Sequence, residues 1–224
     1  MLLMAAFVRR LEPSLLRLIA VTDGQADPAR LERIVREWVS AGVRCVQLRE
    51  PQMSARALLH VCERLLPLLD EVRGLLLVND RVDVAAARLA HGVQVGHRSL
   101  PPTLARAVLG PHGVLGFSAH EAAELDQAAE AQCDFALLSP VWPTSSKPGA
   151  PHLGLGRAAH MTKRARLPVV WLGGVDVERL GALGEVPADG RPAGVAVRGA
   201  LLASEDPGGA ATRLLAALAV LDAR

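Results

Sequence analysis

The 224-residue chain contains no tyrosine and only three phenylalanines and three tryptophans. That removes the aromatic platform on which a single-strand nucleic-acid binder stacks its bases. Charge offers no substitute, because 25 basic against 23 acidic residues leave a formal net charge of +2. Nucleic acid is not an expected partner. Cysteine is scarce too: Cys45, Cys62 and Cys133 are odd in number, widely separated and set in apolar stretches. This pattern predicts reduced, buried thiols in a cytoplasmic protein rather than a disulfide frame or a metal cluster. No apolar run of membrane-spanning length is free of charge. Residues 1–8 are apolar, but Arg9 and Arg10 follow them instead of preceding them. That is the wrong order for a secretory signal, and the run is too short to cross a bilayer. No membrane partner is expected, and no low-complexity linker divides the chain.

Half of the residues are apolar, enough for one substantial core. The apolar runs recur with a regular alternation. Strands are predicted over 18–23, 43–49, 75–80, 92–96, 114–118, 135–139, 168–172 and 194–197. Helical patterns follow them over 31–39, 55–66, 82–89, 101–108, 121–131, 157–162, 177–183 and 210–221. Each strand is a short, continuous apolar run, as expected where both faces are buried, and such strands pair in parallel. The fold class is therefore α/β, a single (β/α)8 TIM barrel over 16–224, with 1–15 as an extension or capping turn. An open, flavodoxin-like sheet would not usually need eight units.

In such a barrel chemistry sits where strands end and helices begin. The strand ends here are polar: Thr22-Asp23, Gln47 with Arg49-Glu50, Asn79-Asp80, Gly96-His97, Ser118 with His120, Ser139, Gly173-Gly174 and Arg198-Gly199. The sixth run breaks at Pro140 and Pro143 into Thr144, Ser145, Ser146, Lys147 and Gly149. Hydroxyls and an ammonium donate to phosphate oxygens, and glycine lets the backbone turn close by. A plain Pro/Ser surface loop is the alternative. Gly173-Gly174 after the seventh strand and Gly199 after the eighth suit a phosphate held by backbone N–H groups. A tight turn alone is the competing account of the glycine pair.

Six motifs carry a family resemblance. They are Val46-Gln47-Leu48-Arg49-Glu50, the run Val78-Asn79-Asp80-Arg81-Val82-Asp83-Val84-Ala85, Gly92-Val93-Gln94-Val95-Gly96, Gly116-Phe117-Ser118-Ala119-His120, the stretch from Ser139 to Lys147, and Leu172-Gly173-Gly174-Val175. In order and content they resemble thiamin phosphate synthase and its paralogue, the thiazole tautomerase, from about residue 18 to about residue 202. The synthase resemblance implies Mg2+ and a pyrimidine pyrophosphate that ionises and is captured by a thiazole phosphate. Gln47 and Arg49 would then face the pyrophosphate or pyrimidine, Asn79 would bind pyrophosphate, and Asp80 would be a magnesium ligand. Ser118, Thr144, Ser146 and Lys147 would hold substrate and phosphate groups, and Gly174 would offer its N–H to the thiazole phosphate.

Two departures from the synthase pattern bear on the choice between paralogues. Pro51 stands where the family's synthases carry a lysine, and Ser99 stands where they carry a second metal-binding aspartate; Arg98 beside it compensates at most in part. A multiply charged leaving group needs electrostatic stabilisation as its bond breaks, whereas aromatising a thiazole phosphate carboxylate moves a proton and expels nothing. The departures therefore favour a metal-independent thiazole tautomerase, an isomerase with His120 as general acid/base, a task suited to a side chain that titrates near neutrality. Its phosphate would be held by Gly173, Gly174, Gly199, Arg198 and Lys147. A helix-start neighbour on the surface is the other account of His120. His97 is a second candidate, replacing a glutamine, and His60, His91, His112, His152 and His160 are assigned solvated or structural places. The alternatives are a Mg2+-dependent thiamin phosphate synthase, with Asp80 as metal ligand, and a non-catalytic thiazole-phosphate binder. A homo-oligomer fits any of the three.

Overall fold

The computed structural model describes residues 11–25, 27–144, 149 and 151–222. Each apolar run anticipated as a strand is one: β1 Leu18–Val21, β2 Cys45–Leu48, β3 Leu75–Asn79, β4 Gly92–Val95, β5 Val114–Ala119, β6 Phe135–Leu138, β7 Val169–Leu172 and β8 Gly194–Val197. Every strand pairs in parallel with the next, and β8 closes on β1, where Ile19 lies opposite both Cys45 and Ala196. The helices are α1 Pro28–Ser40, α2 Ala55–Glu71, α3 Val82–Ala86, α4 Pro102–Leu109, α5 Ala122–Glu130, α6 Gly154–Arg164, α7 Val177–Gly181, α8 Gly199–Leu202 and α9 Pro207–Asp222.

Strand alternation divides the apolar side chains into two shells. Ile19, Cys45, Leu75, Leu77, Val114, Phe135, Leu137, Val170 and Ala196 fill the barrel interior. Their neighbours Ala20, Val46, Leu76, Val78, Leu115, Ala136, Leu138 and Val195 pack outward beneath the helices. Gly116 shows how tightly the interior is filled. A methyl there would come within 2.4 Å of the Phe135 ring and 2.0 Å of the Gln94 amide oxygen. Below the strands, a 3-10 turn over Pro13–Leu16 inserts the fully buried Leu16, with Leu11 and Leu15 packed beside it. Of the extension anticipated over 1–15, residues 1–10 lie outside the described residues.

Helix limits depart from the sequence pattern for local reasons. The pattern ends α2 at 66 because Pro67 follows, yet the helix runs on to Glu71. Proline in a helix interior costs about 3 kcal/mol. Leu65 and Leu69, both fully buried on the face that carries Leu58, Val61 and Cys62, offset it at about 1.5–3 kcal/mol each. Conversely, α3 stops at Ala86, three residues short of expectation, and Arg88 adopts a left-handed φ of 62°. All three cysteines are buried and free. Burial raises the Cys45 thiol far above its ordinary value and pushes Cys62 and Cys133 up to about 12, so none is a nucleophile near neutrality. No helix of the described residues is long and apolar enough to cross a membrane.

His91, just before β4, is a structural residue at the base of the barrel. Its Nδ1 accepts the Leu76 N–H at 2.9 Å, its Nε2 lies 2.9 Å from Asp70 Oδ1, and its own N–H donates to the Leu76 carbonyl. Removing this buried ring leaves a strand N–H unpaired and a void. His91→Ala is expected to cost about 2–4 kcal/mol of stability, to be read as a lowered denaturation midpoint in urea.

Candidate active site

Alternation also decides which polar residues enter the barrel mouth. Following Cys45, Leu77 and Val114 in register, Gln47, Asn79 and Ser118 turn inward at the carboxyl ends of β2, β3 and β5, with Gln94 between them on β4. They bond to one another in pairs. Gln47 Nε2 donates to Asn79 Oδ1 at 3.0 Å, and Gln94 Nε2 donates to Ser118 Oγ at 3.0 Å. Gln47 is 4% exposed, so its amide is fixed by that bond rather than by water.

From this layer a polar chain climbs to the rim. Asn79 Nδ2 donates to Asp80 Oδ2 at 2.6 Å, and the Ser99 hydroxyl donates to Asp80 Oδ1. Ser99 Oγ in turn accepts the Gly96 N–H at 2.7 Å. A backbone N–H only donates, so the hydroxyl hydrogen is left for the carboxylate. Asp80 itself has a φ of 64°, a left-handed conformation in which aspartate and asparagine are enriched among residues with a side chain. Both carboxylate oxygens are held by donors, and each keeps a lone pair directed elsewhere.

Beside this chain stand Arg49 and Glu50. The Arg49 N–H donates to Thr22 Oγ1 at 2.8 Å, and the buried Glu50 accepts the Gly24 N–H at 3.2 Å. Asp23 next to it pairs with Arg30 at 2.9 Å. Burial works against the Asp23 charge, but the Arg30 guanidinium and the Gln25 N–H more than offset it and hold the carboxyl below the usual range. The guanidinium groups of Arg49 and Arg98 form no hydrogen bond or ion pair among the described residues.

His120 follows β5. Its Nδ1 faces the Ser139 carbonyl, which only accepts, so Nδ1 carries the hydrogen and Nε2 is the nitrogen left for a ligand. His97 stacks on it with ring centroids 5.4 Å apart and planes 18° from parallel. Glu124 ties the pair together: Oε1 lies 3.0 Å from His97 Nε2, and Oε2 accepts the N–H groups of His120 and Glu121. Glu124 was not singled out as a site residue in the sequence, because Glu121 is not one of the Ser, Thr, Asp or Asn residues that mark a capping box, although the two residues form one here.

Across the mouth, β6 and β7 supply a second polar edge. Gly173 and Gly174 have φ values of 98° and 70°, and the N–H groups of Gly174 and Val175 donate to no acceptor among the described residues. The loop after β6 is zipped to this turn: Val141 N–H donates to Leu172 at 3.0 Å and Trp142 N–H to Gly173 at 3.1 Å. Arg198 precedes α8, whose first residue is Gly199, and a methyl on Gly199 would meet nothing within 4 Å. Thr144 is half-buried in the loop after Pro143. Ser146 and Lys147 lie outside the described residues. Thus the structure brings Gln47, Asn79 and Asp80 together on one edge, with Ser118 bonded to Gln94 beside them on β5, and places Gly173 and Gly174 on the other. Arg179, unmarked by any motif, bonds to that second edge.

Among the described residues no group of three or more histidine, cysteine or acidic side chains is placed to hold a metal. Asp80 offers one carboxylate instead. That donor set fits a hard dication that takes one or two protein carboxylates and completes its octahedron with phosphate oxygens and water.

Residues 18–201 match the family described as thiamine monophosphate synthase. The chain belongs to that family. A relative named thiamine-phosphate synthase in Vibrio campbellii is 34% identical over 200 residues, covering 89% of this chain and 96% of its own. Another of the same name in Laribacter hongkongensis is 37% identical over 187 residues, covering 83% and 86%. A solved structure titled thiamine phosphate pyrophosphorylase from Pyrococcus furiosus superposes with a TM-score of 0.82 at 28% identity, over 93% of this chain and 98% of that one.

These family relatives overturn the expectation of a thiazole tautomerase, and with it that of an isomerase. The relatives named here are synthases, which are transferases. The expectation leaned on two missing charges, at Pro51 and Ser99. Position 99 is not idle, however: its hydroxyl still reaches Asp80, so the carboxylate is held in place without a second acid. The mouth also has two polar edges, on β2–β4 and on β6–β8, where a proton shift on one phosphorylated ring needs a single phosphate grip.

Proposed function

We propose that this chain is a thiamine-phosphate synthase, a cytoplasmic transferase that joins a hydroxymethylpyrimidine pyrophosphate to thiazole phosphate. The observation that supports the reading is the placement of two polar edges across one barrel mouth. β3, with Asn79 and Asp80, lies four strands from β7, with Gly173 and Gly174, in a closed ring of eight, so the edges face each other. A reaction between two phosphorylated substrates requires that arrangement. The three buried free thiols suit a reducing compartment.

In this reading the bond between the pyrimidine methylene carbon and oxygen breaks, and its electron pair leaves with pyrophosphate. The lone pair of the thiazole ring nitrogen then forms the new C–N bond. Gln47 and Asn79 orient the pyrophosphate side, Arg49 brings a positive charge to it, and Ser118 bounds the pyrimidine. Asp80 would hold Mg2+, which when bound neutralises the pyrophosphate and favours its departure. Gly174 and Val175 offer N–H groups to the thiazole phosphate, with Arg198 and Gly199 just after the neighbouring strand β8 and Thr144, Ser146 and Lys147 following β6. His120 Nε2 and the stacked His97 line the side of the mouth between the two edges.

Incubating the protein with pyrimidine pyrophosphate, thiazole phosphate and Mg2+ and following phosphorus NMR tests the reading. One equivalent of pyrophosphate should be released per thiamin phosphate formed, and chelator should stop both. Intact pyrimidine pyrophosphate after many hours, under conditions where the protein remains folded, overturns it.

A further inference from the structure

Arg179 lies on α7, the short helix after the Gly173-Gly174 turn. Its guanidinium Nη1 donates to the Gly174 carbonyl and, at 3.3 Å, to the Pro143 carbonyl. One group therefore holds both loops of the β6–β7 edge. The side chain is also anchored at its base, because the Arg179 N–H donates to Asp176 Oδ1 at 2.8 Å and the Asp176 carboxylate stands 3.6 Å from the guanidinium.

Peptide geometry links this strap to the open amides. In a trans peptide the C=O and the following N–H point in opposite directions. Clamping the Gly174 carbonyl onto Arg179 therefore turns the Val175 N–H away from the guanidinium. That N–H and the one on Gly174 donate to no acceptor among the described residues. Gly174, at a φ of 70°, belongs to a residue type that otherwise samples several backbone wells. A turn left to itself would present its amides in many directions.

We infer that Arg179 is a positioning residue for the phosphate of the thiazole substrate. It locks the Gly174 turn against the Pro143 loop so that the open amides keep one geometry, and it places a positive charge behind them. This rests on the thiamine-phosphate synthase reading and adds a residue on which phosphate recognition depends.

The test compares 4-methyl-5-(2-hydroxyethyl)thiazole phosphate with the unphosphorylated alcohol, by calorimetric titration and as co-substrates with pyrimidine pyrophosphate and Mg2+. Arg179→Ala should raise Kd and KM for the phosphate about tenfold, with kcat and affinity for the alcohol changed by less than about threefold. Arg179→Lys should recover part of the loss, since an ammonium keeps the charge and the donors but not the length and rigid planar shape of the guanidinium. It also serves as the folded variant should the alanine form prove unstable. Equal losses for phosphate and alcohol, or no loss for either, overturn the inference while leaving the synthase reading in place. Wild-type protein that binds no thiazole phosphate overturns both.

Discussion

Asp80→Asn is expected to lower thiamin phosphate formation about a thousandfold, a loss of the size seen when electrostatic stabilisation of a leaving group is removed. The substitution keeps shape and removes charge. Asparagine, like aspartate, tolerates the φ of 64° found at this position. Its amide oxygen can still accept the hydroxyl of Ser99; its NH2 only donates, so the bond from Asn79 Nδ2 is lost, but the residue is exposed at the rim, where water can replace that partner, so folding should be little affected. The lost quantity is the carboxylate that Asn79 and Ser99 hold at the rim, with Ser99 contributing only a neutral donor. A pyrophosphate-release assay across a magnesium series, run beside a thermal melt, gives the answer. Activity within tenfold of wild type at saturating magnesium would remove Asp80 from the proposed leaving-group machinery.

Gly174→Ala should weaken binding of thiazole phosphate about a hundredfold, the scale of a roughly 1 Å displacement of a positioned group. The added methyl would stand 2.4 Å from the Pro143 carbonyl oxygen, 2.7 Å from Arg179 Nη1 and 2.8 Å from Trp142 Cβ. Two of these neighbours are backbone or near-backbone atoms, so the β6 loop must move away from the turn. The left-handed φ adds about 1–2 kcal/mol for a residue with a Cβ. The KM for thiazole phosphate and the melting temperature should therefore both change, with KM for pyrimidine pyrophosphate close to wild type. Gly199→Ala serves as the stability control, because its methyl meets nothing within 4 Å. If Gly174→Ala melts lower but binds thiazole phosphate normally, the turn is structural and the phosphate is held elsewhere.

Much of this architecture is legible along the chain. Alternation of short apolar runs with helical patterns specified eight units and their parallel pairing, because both signals are local and repeat within a few residues. The same two-residue period that buries Cys45, Leu77 and Val114 turns Gln47, Asn79 and Ser118 inward at the strand ends. The glycine pair at 173–174 was likewise visible from position alone. Helix limits were less so: Pro67 reads as a stop, but two buried leucines beyond it outweigh the cost.

Choosing between the paralogues from Pro51 and Ser99 failed for a related reason. A missing charge is a property of one position, whereas the field at a site is set by every group that reaches it. Ser99 meets Asp80 from 19 positions away, and His97 meets Glu124 from the far side of β5. Composition, period and strand-end chemistry were therefore determined by the sequence on its own: an eight-unit parallel barrel with polar strand ends. Barrel closure decided the rest. It faced the Asp80 edge towards the Gly174 turn, stacked His97 on His120 and brought Arg179 onto the carbonyls of two loops. Except for the local bond from Arg179 to Gly174, those contacts join residues more than 20 positions apart in the chain, and only the register and closure of the strands bring them together.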